Sequence, residues 1–187
     1  MYIRSFWIAI LVLGLISCRS DVFPKPKGVL RLEYPKTNYQ VFNLQQKCPF
    51  EFQVNTNSKV NQKAGSCDLN IHYPKMKATI YISYKKVQGN IRSLLRDAQK
   101  LTFEHTVKAD NIASTPFVNQ TNRVYGMFYQ VYGNAASQAQ FYATDSISHF
   151  ISGSVYFKAL PNYDSIQPAT HYLEKDVRKI METLQWK

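Results

Sequence analysis

The chain has 187 residues, 45% of them hydrophobic and 14% aromatic, and a formal net charge of +11 from 23 Lys and Arg against 12 Asp and Glu. That length suits one domain of ordinary size with a substantial core, and that composition excludes a disordered chain. No internal repeat occurs, and no apolar run reaches the roughly 20 residues that a transmembrane helix needs.

The N-terminus is the first informative element. Arg4 and no acidic residue precede the apolar run Phe6-Trp7-Ile8-Ala9-Ile10-Leu11-Val12-Leu13-Gly14, and Leu15-Ile16-Ser17-Cys18 follows it. A charged start, a short apolar core and a small-residue cleavage site make an export signal. The Leu-x-small-Cys pattern is similar to a bacterial lipobox. It predicts a signal peptide over 1–17 and acylation of the Cys18 thiol, palmitate being one such chain, with the mature protein starting there. Each buried methylene contributes about 0.8 kcal/mol and one chain anchors only reversibly, so two or three acyl chains hold the protein firmly. The simpler alternative is an ordinary signal peptide that contains a cysteine.

Export argues against nucleic acid as the partner of the positive charge, and the lysines are scattered, not stacked on one helix face. Anionic lipid headgroups, an acidic polysaccharide or an acidic protein fit better. With Cys18 committed to lipid, Cys48 and Cys67 are an even pair in an oxidising compartment, which predicts a disulfide. Closing a loop of about 20 residues contributes roughly 3 kcal/mol on the chain-entropy model. Zinc would need more ligands than two cysteines and the nearby His72, and no C-x-x-C spacing supports a redox pair.

Residues 18–36 read as a lipid-anchored tether running into a first strand. Pro24, Pro26 and Pro35 favour extended backbone, Lys25 and Lys27 keep it solvated, and alternation begins at Val29–Tyr34. A single domain is expected over 37–187. Phe50–Val54 alternates as a strand, 55–66 reads as a loop, and Leu69–Tyr73 alternates again up to Pro74. Ala78–Tyr84 is rich in β-branched and aromatic residues. The period then changes. Asn90 is a good cap, and Ile91, Leu94, Leu95, Ala98, Leu101, Thr102 and His105 fall at helical spacing, predicting an amphipathic helix over about 90–109.

Four strands follow: Ile112–Val118; Arg123–Tyr132, apolar on both faces and so expected to be central; Gln138–Thr144; and His149–Lys158. A last helix is expected from about Pro168, which suits a first turn, to Leu184. The fold class is α+β, a curved antiparallel β-sheet flanked by two helices. The order of elements resembles the Mog1/PsbP-like sandwich, an analogy of fold without functional content.

Catalytic signatures are sparse. Ser152-Gly153-Ser154 lies inside a strand and lacks the outer glycines of a nucleophile elbow, so it relieves crowding or marks a bulge. No P-loop or G-x-G-x-x-G occurs. None of His72, His105, His149 and His171 pairs with another at metal-ligand spacing. Asp145, Ser146 and His149 read as a turn before they read as a triad.

Specific strings carry more weight. They are Pro24-Lys25-Pro26-Lys27-Gly28, Cys48-Pro49-Phe50, Ser66-Cys67, Asn70-Ile71-His72-Tyr73-Pro74-Lys75, Ile82-Ser83-Tyr84-Lys85 and Glu104-His105-Thr106-Val107-Lys108-Ala109-Asp110. The strongest is Gly133-Asn134-Ala135-Ala136-Ser137-Gln138-Ala139-Gln140-Phe141, leading to Thr144-Asp145-Ser146 and His149-Phe150. Met181-Glu182-Thr183-Leu184-Gln185-Trp186-Lys187 closes the series. In this order, over essentially the whole mature chain, they resemble the GldD gliding-motility lipoprotein family of gliding Bacteroidota. The resemblance implies a non-enzymatic, periplasm-facing envelope lipoprotein that needs no cofactor and touches components of the gliding and type nine secretion apparatus. It carries Cys18 over as the lipid site. It makes Asn134, Ser137, Gln140, Asp145 and His149 a candidate partner surface, although a demanding turn geometry would explain that segment equally well. Arg19-Ser20-Asp21 lacks the acidic cluster of surface-exposed lipoproteins, which favours the periplasmic side. Two rivals stay open: a glycan- or small-ligand-binding lipoprotein using its many Tyr and Phe, and a hydrolase with His105 or His149 beside a nucleophile.

Overall fold

The computed structural model describes residues 34–42, 44, 48–104, 108–158 and 162–187. The signal segment, Cys18, His105 and all but the last residue of the strand expected at Val29–Tyr34 lie outside the described residues. Eleven strands are formed among those described: β1 (Tyr39–Val41), β2 (Phe50–Glu51), β3 (Gln53–Asn55), β4 (Lys59–Gln62), β5 (Leu69–Tyr73), β6 (Ala78–Lys86), β7 (Asn111–Asn119), β8 (Val124–Tyr132), β9 (Ser137–Thr144), β10 (His149–Phe157) and β11 (Gln185–Trp186). The two α-helices are α1 (Ile91–Phe103) and α2 (Tyr163–Thr183). The fold is α+β.

Seven strands form an antiparallel sheet in the order β4-β5-β6-β10-β9-β8-β7. Period-2 alternation divides its side chains between two faces. One face carries Ile71, Ile80, Ile82, Phe128, Phe141, Ile151 and Val155, all buried in the main core. α2 covers it with Leu173, Val177, Ile180 and Met181, spaced i, i+4, i+7 and i+8 along one stripe. The opposite face carries Tyr129, Tyr142 and Phe150, on which α1 lays Ile91, Leu94, Leu95 and Ala98. The helices therefore sit on opposite sides of the sheet.

Several expectations need correction. The expected strand over Phe50–Val54 is two strands that break at Phe52: β2 pairs with β11, and β3 pairs with β1. The stretch read as a loop at 55–66 contains β4, which forms a hairpin with β5. Its Asn- and Lys-rich composition suits an edge strand exposed on one side, and that disguises it. The strand with both faces buried is β9, not β8: all eight of its residues are buried, four of them polar. β8 lies one place from the sheet edge.

α1 ends at Phe103, earlier than its periodicity suggested. α2 starts at Tyr163, so Pro168 sits inside it and not at its first turn. The reason is a cap from a distant element. Asn134, in the β8–β9 turn, accepts the Tyr163 N–H through its Oδ1 at 2.9 Å. Sequence cannot show a cap 29 residues away.

The sheet edges are blunted. β7 carries Pro116, and β4 has only four residues. At Gly153 the Phe141 ring lies across the backbone, so that an added Cβ would come within 2.3 Å of it. The Ser-Gly-Ser string thus relieves crowding, and a register shift follows at Val155/Tyr156.

Candidate partner surface

Cys48 and Cys67 form a disulfide, with Cα atoms 5.7 Å apart. It ties the approach to β2 to the approach to β5. Because β2 pairs with β11, the C-terminus is held indirectly by the same link.

The five residues expected to form one surface are distributed over the length of β9. Eight strand residues at about 3.4 Å each separate its two ends by roughly 25 Å. Asn134, exposed at one end, caps α2. Ser137 is fully buried and donates through Oγ to the Ala139 carbonyl. Gln140, in mid-strand and 3% exposed, accepts from Thr102 Oγ1 of α1 at 3.0 Å. Neither Ser137 nor Gln140 can offer its side chain to a partner while the fold is closed.

Asp145 and His149 stand together at the other end. Asp145 Oδ1 accepts the backbone N–H groups of Ile147, Ser148 and His149 at 2.8–2.9 Å. Burial pushes its carboxyl up, but those three donors and the adjacent His149 outweigh burial and hold it below the ordinary value. The carboxylate therefore builds a turn, and Ser146 within it adopts φ +68°. The turn reading of this segment holds.

His149 Nδ1 meets the Tyr84 hydroxyl at 2.9 Å, and its ring stacks on Trp186 at 5.2 Å and 14°. Burial and the Asp145 charge raise the Tyr84 phenol above its ordinary value, which keeps it protonated and poor as a nucleophile. His72 Nδ1 meets Thr79 Oγ1 at 2.8 Å on another part of the sheet. Among the described residues, no group of three His, Cys, Asp or Glu side chains is placed to hold a metal ion.

Sequence reasoning missed the neighbours of His149. An open cleft of about 460 Å³ is lined by Asn122, Arg123, Asp145, His149, Trp186 and Lys187. Trp186 Nε1 donates to the Arg123 carbonyl at 3.1 Å, and Asn122 Nδ2 donates to the Leu184 carbonyl at 3.2 Å. Lys187 N donates to the Pro49 carbonyl at 2.9 Å, and its Nζ lies 2.6 Å from Glu51. The last strand is thus pinned from both sides, and it supplies an aromatic ring and a cation. The only signal in the sequence was the C-terminal string that ends in Trp186-Lys187. Trp186 and Arg123, both in the lining, are of the residue types enriched among those that dominate protein contact energies.

A family model for a gliding motility lipoprotein matches residues 19–186, which defines the chain as a lipoprotein of gliding motility. Within that class the chain belongs to the GldD family. No curated protein matches it. Membership implies a protein of the cell envelope that lipid anchors to a membrane. Among the described residues no helix is long and apolar enough to cross a membrane.

Proposed function

We propose that the chain serves gliding by contact: acyl chains on Cys18 hold it to a membrane, and its domain presents the His149–Trp186 cleft to a component of the motility and type nine secretion apparatus. The family match carries this reading, and it begins at residue 19, directly after the proposed lipid site. The cleft supports it because an exposed Arg123, a half-buried Trp186 and Lys187 converge there on a rigid frame of backbone hydrogen bonds. The domain faces the periplasm, where the Cys48–Cys67 disulfide persists.

Two measurements test the proposal. Cys18→Ser abolishes lipidation and impairs gliding; full gliding by the unanchored protein would defeat the anchor. Crosslinking from intact cells through a photoreactive residue at Thr121, an exposed residue of the cleft lining, captures an apparatus component; capture of peptidoglycan fragments alone would move the function to glycan binding.

That second reading has one observation in its favour. The sheet face beside α1 is open over β4–β6 and β10, in a groove of about 620 Å³ lined by Asn61, Asn70, Tyr81, Ser152, Ser154 and Tyr156. Tyr81 is 46% exposed and stands edge-on to Tyr156, an arrangement on which a sugar ring can lie. Titration with muropeptides, monitored by tyrosine fluorescence in wild type and Tyr81→Ala, decides it.

A further inference from the structure

The end of the sheet opposite the His149–Trp186 cleft gathers five exposed lysines: Lys36, Lys59, Lys75, Lys77 and Lys158. The topology puts them there. Lys59 opens β4, and Lys75 lies in the 3-10 turn Pro74–Met76 that joins β5 to β6. Lys77 closes that turn in the left-handed conformation, and its carbonyl accepts the Lys158 N–H at 2.7 Å just beyond β10. Lys36 is drawn in through its carbonyl, which accepts from Asn57 Nδ2 at 3.1 Å. Lys59, Lys77 and Lys158 border one shallow basin of about 690 Å³ together with His72. Lys59 and Lys75 border a second, of about 220 Å³, together with Pro35 and Met76.

None of the five has an ion-pair partner among the described residues. The acid beneath them, Asp176, is buried and turned inward, bonded to Tyr39 and Asn55. Asp110 and Asp164 lie at the same end, but on the β7–β9 side, near the start of α2. At this end the uncompensated charge therefore lies in the β4–β6 and β10 half; the cleft end also carries exposed Lys63, Lys85, Lys86 and Arg123, but there Asp68, Asp145 and Glu51 stand among them.

The anchored stretch enters at this same end. Tyr34 packs its ring on Tyr172 at 5.5 Å, and Pro35 shares the basin of Lys59 and Lys75. Fifteen residues, Arg19 to Glu33, separate Cys18 from Tyr34; four are basic and two acidic. Such a length spans at most roughly 55 Å, so the lipid keeps Tyr34 within that distance of the membrane. Clustered lysines next to a lipid anchor are attracted to anionic headgroups within about a Debye length. The basins are wide and shallow, which fits a plane of many phosphates better than one enclosed anion.

We infer that this basic end docks on a bilayer bearing anionic phospholipid headgroups and so holds the His149–Trp186 cleft away from the membrane. The inference rests on the lipid anchor proposed above. Along β10 the two ends are roughly 30 Å apart, enough to keep the cleft clear of the headgroups.

The test uses the lipidated full-length protein in vesicles of phosphatidylcholine, alone or with a third phosphatidylglycerol, doped with nitroxide-headgroup lipid. One fluorophore is placed at Thr56→Cys, in the β3–β4 turn beside Lys36, and another at Thr121→Cys beside the cleft. With phosphatidylglycerol, quenching at position 56 exceeds that at 121 several-fold. The difference vanishes in phosphatidylcholine, in high salt, and in the Lys59→Gln/Lys75→Gln/Lys77→Gln/Lys158→Gln variant. Equal quenching at both positions with phosphatidylglycerol, or the same preference without it, overturns the inference. Failure of the protein to float with phosphatidylcholine vesicles defeats the anchor, and this inference with it; flotation without oriented quenching defeats the docking alone.

Discussion

Asp176 is the residue whose chemistry is least expected in a structural core. Its carboxylate is 1% exposed and accepts from Tyr39 OH at 2.6 Å and from Asn55 Nδ2 at 3.0 Å. Burial raises its pKa despite those donors, and no cation among the described residues offsets it. The sign of the effect on stability follows. The folded state holds the proton more tightly than the unfolded chain, so this contribution is fully present below the ordinary carboxylate value and is lost as pH rises through the raised one. Glu174, raised by burial as well, adds in the same direction. In urea titrations, wild type should lose stability relative to Asp176→Asn as pH climbs from 4 to 7. Asp176→Ala, which strands several buried donors, should cost about 3 kcal/mol near pH 4 and less as pH rises, because the wild type it is measured against loses this contribution. At Gly153 the constraint is steric: Gly153→Ala drives a methyl into Phe141 and should cost about 2 kcal/mol in thermal or urea unfolding, with Phe141→Leu in the same chain restoring part of it.

At the scale of elements, the strands and helices whose pattern is local were legible: β5, β6, β7 and β10 lie close to where alternation and β-branched composition put them. The pieces that sequence concealed are those held by distant partners. β4 reads as a loop because its outward residues are polar and its pairing comes from β5. β11 is two residues long, and only β2 defines it. The start of α2 was displaced because its cap is Asn134 and not a neighbour in the chain. Of the candidate surface, Asp145 and His149 were found through the motif string, whereas Arg123, Trp186 and Lys187 come from two other segments that meet them only in three dimensions. Two measurements belong here. Asn134→Ala should destabilise by about 1 kcal/mol and fray the first turn of α2, seen as faster amide exchange over 163–167. Reducing Cys48–Cys67 should cost roughly 3 kcal/mol and loosen β2 and β11 together, so that Trp186 fluorescence shifts red before the main sheet unfolds.

For the whole molecule, the sheet separates two ends of different character, one basic and joined to the anchored stretch, the other carrying the aromatic–cationic cleft. Trp186→Ala combined with Arg123→Ala should leave membrane association unchanged, since both residues line the cleft at the end of the sheet opposite the lysine basins. The same pair of changes should abolish crosslinking at the cleft and slow gliding, measured as colony spreading beside membrane fractionation. Loss of membrane association in that variant would mean that the two ends do not act separately.

The edges of the main sheet limit how anything can join it. β7 carries a proline in its middle, and β4 offers too short a row of amides to template a visiting strand. A neighbour therefore cannot recruit this protein by lengthening its ladder, as fibre-forming or strand-donating assemblies do. Contact with the main sheet is then left to its side chains, and a grip of that kind can be made and released without unpairing a ladder.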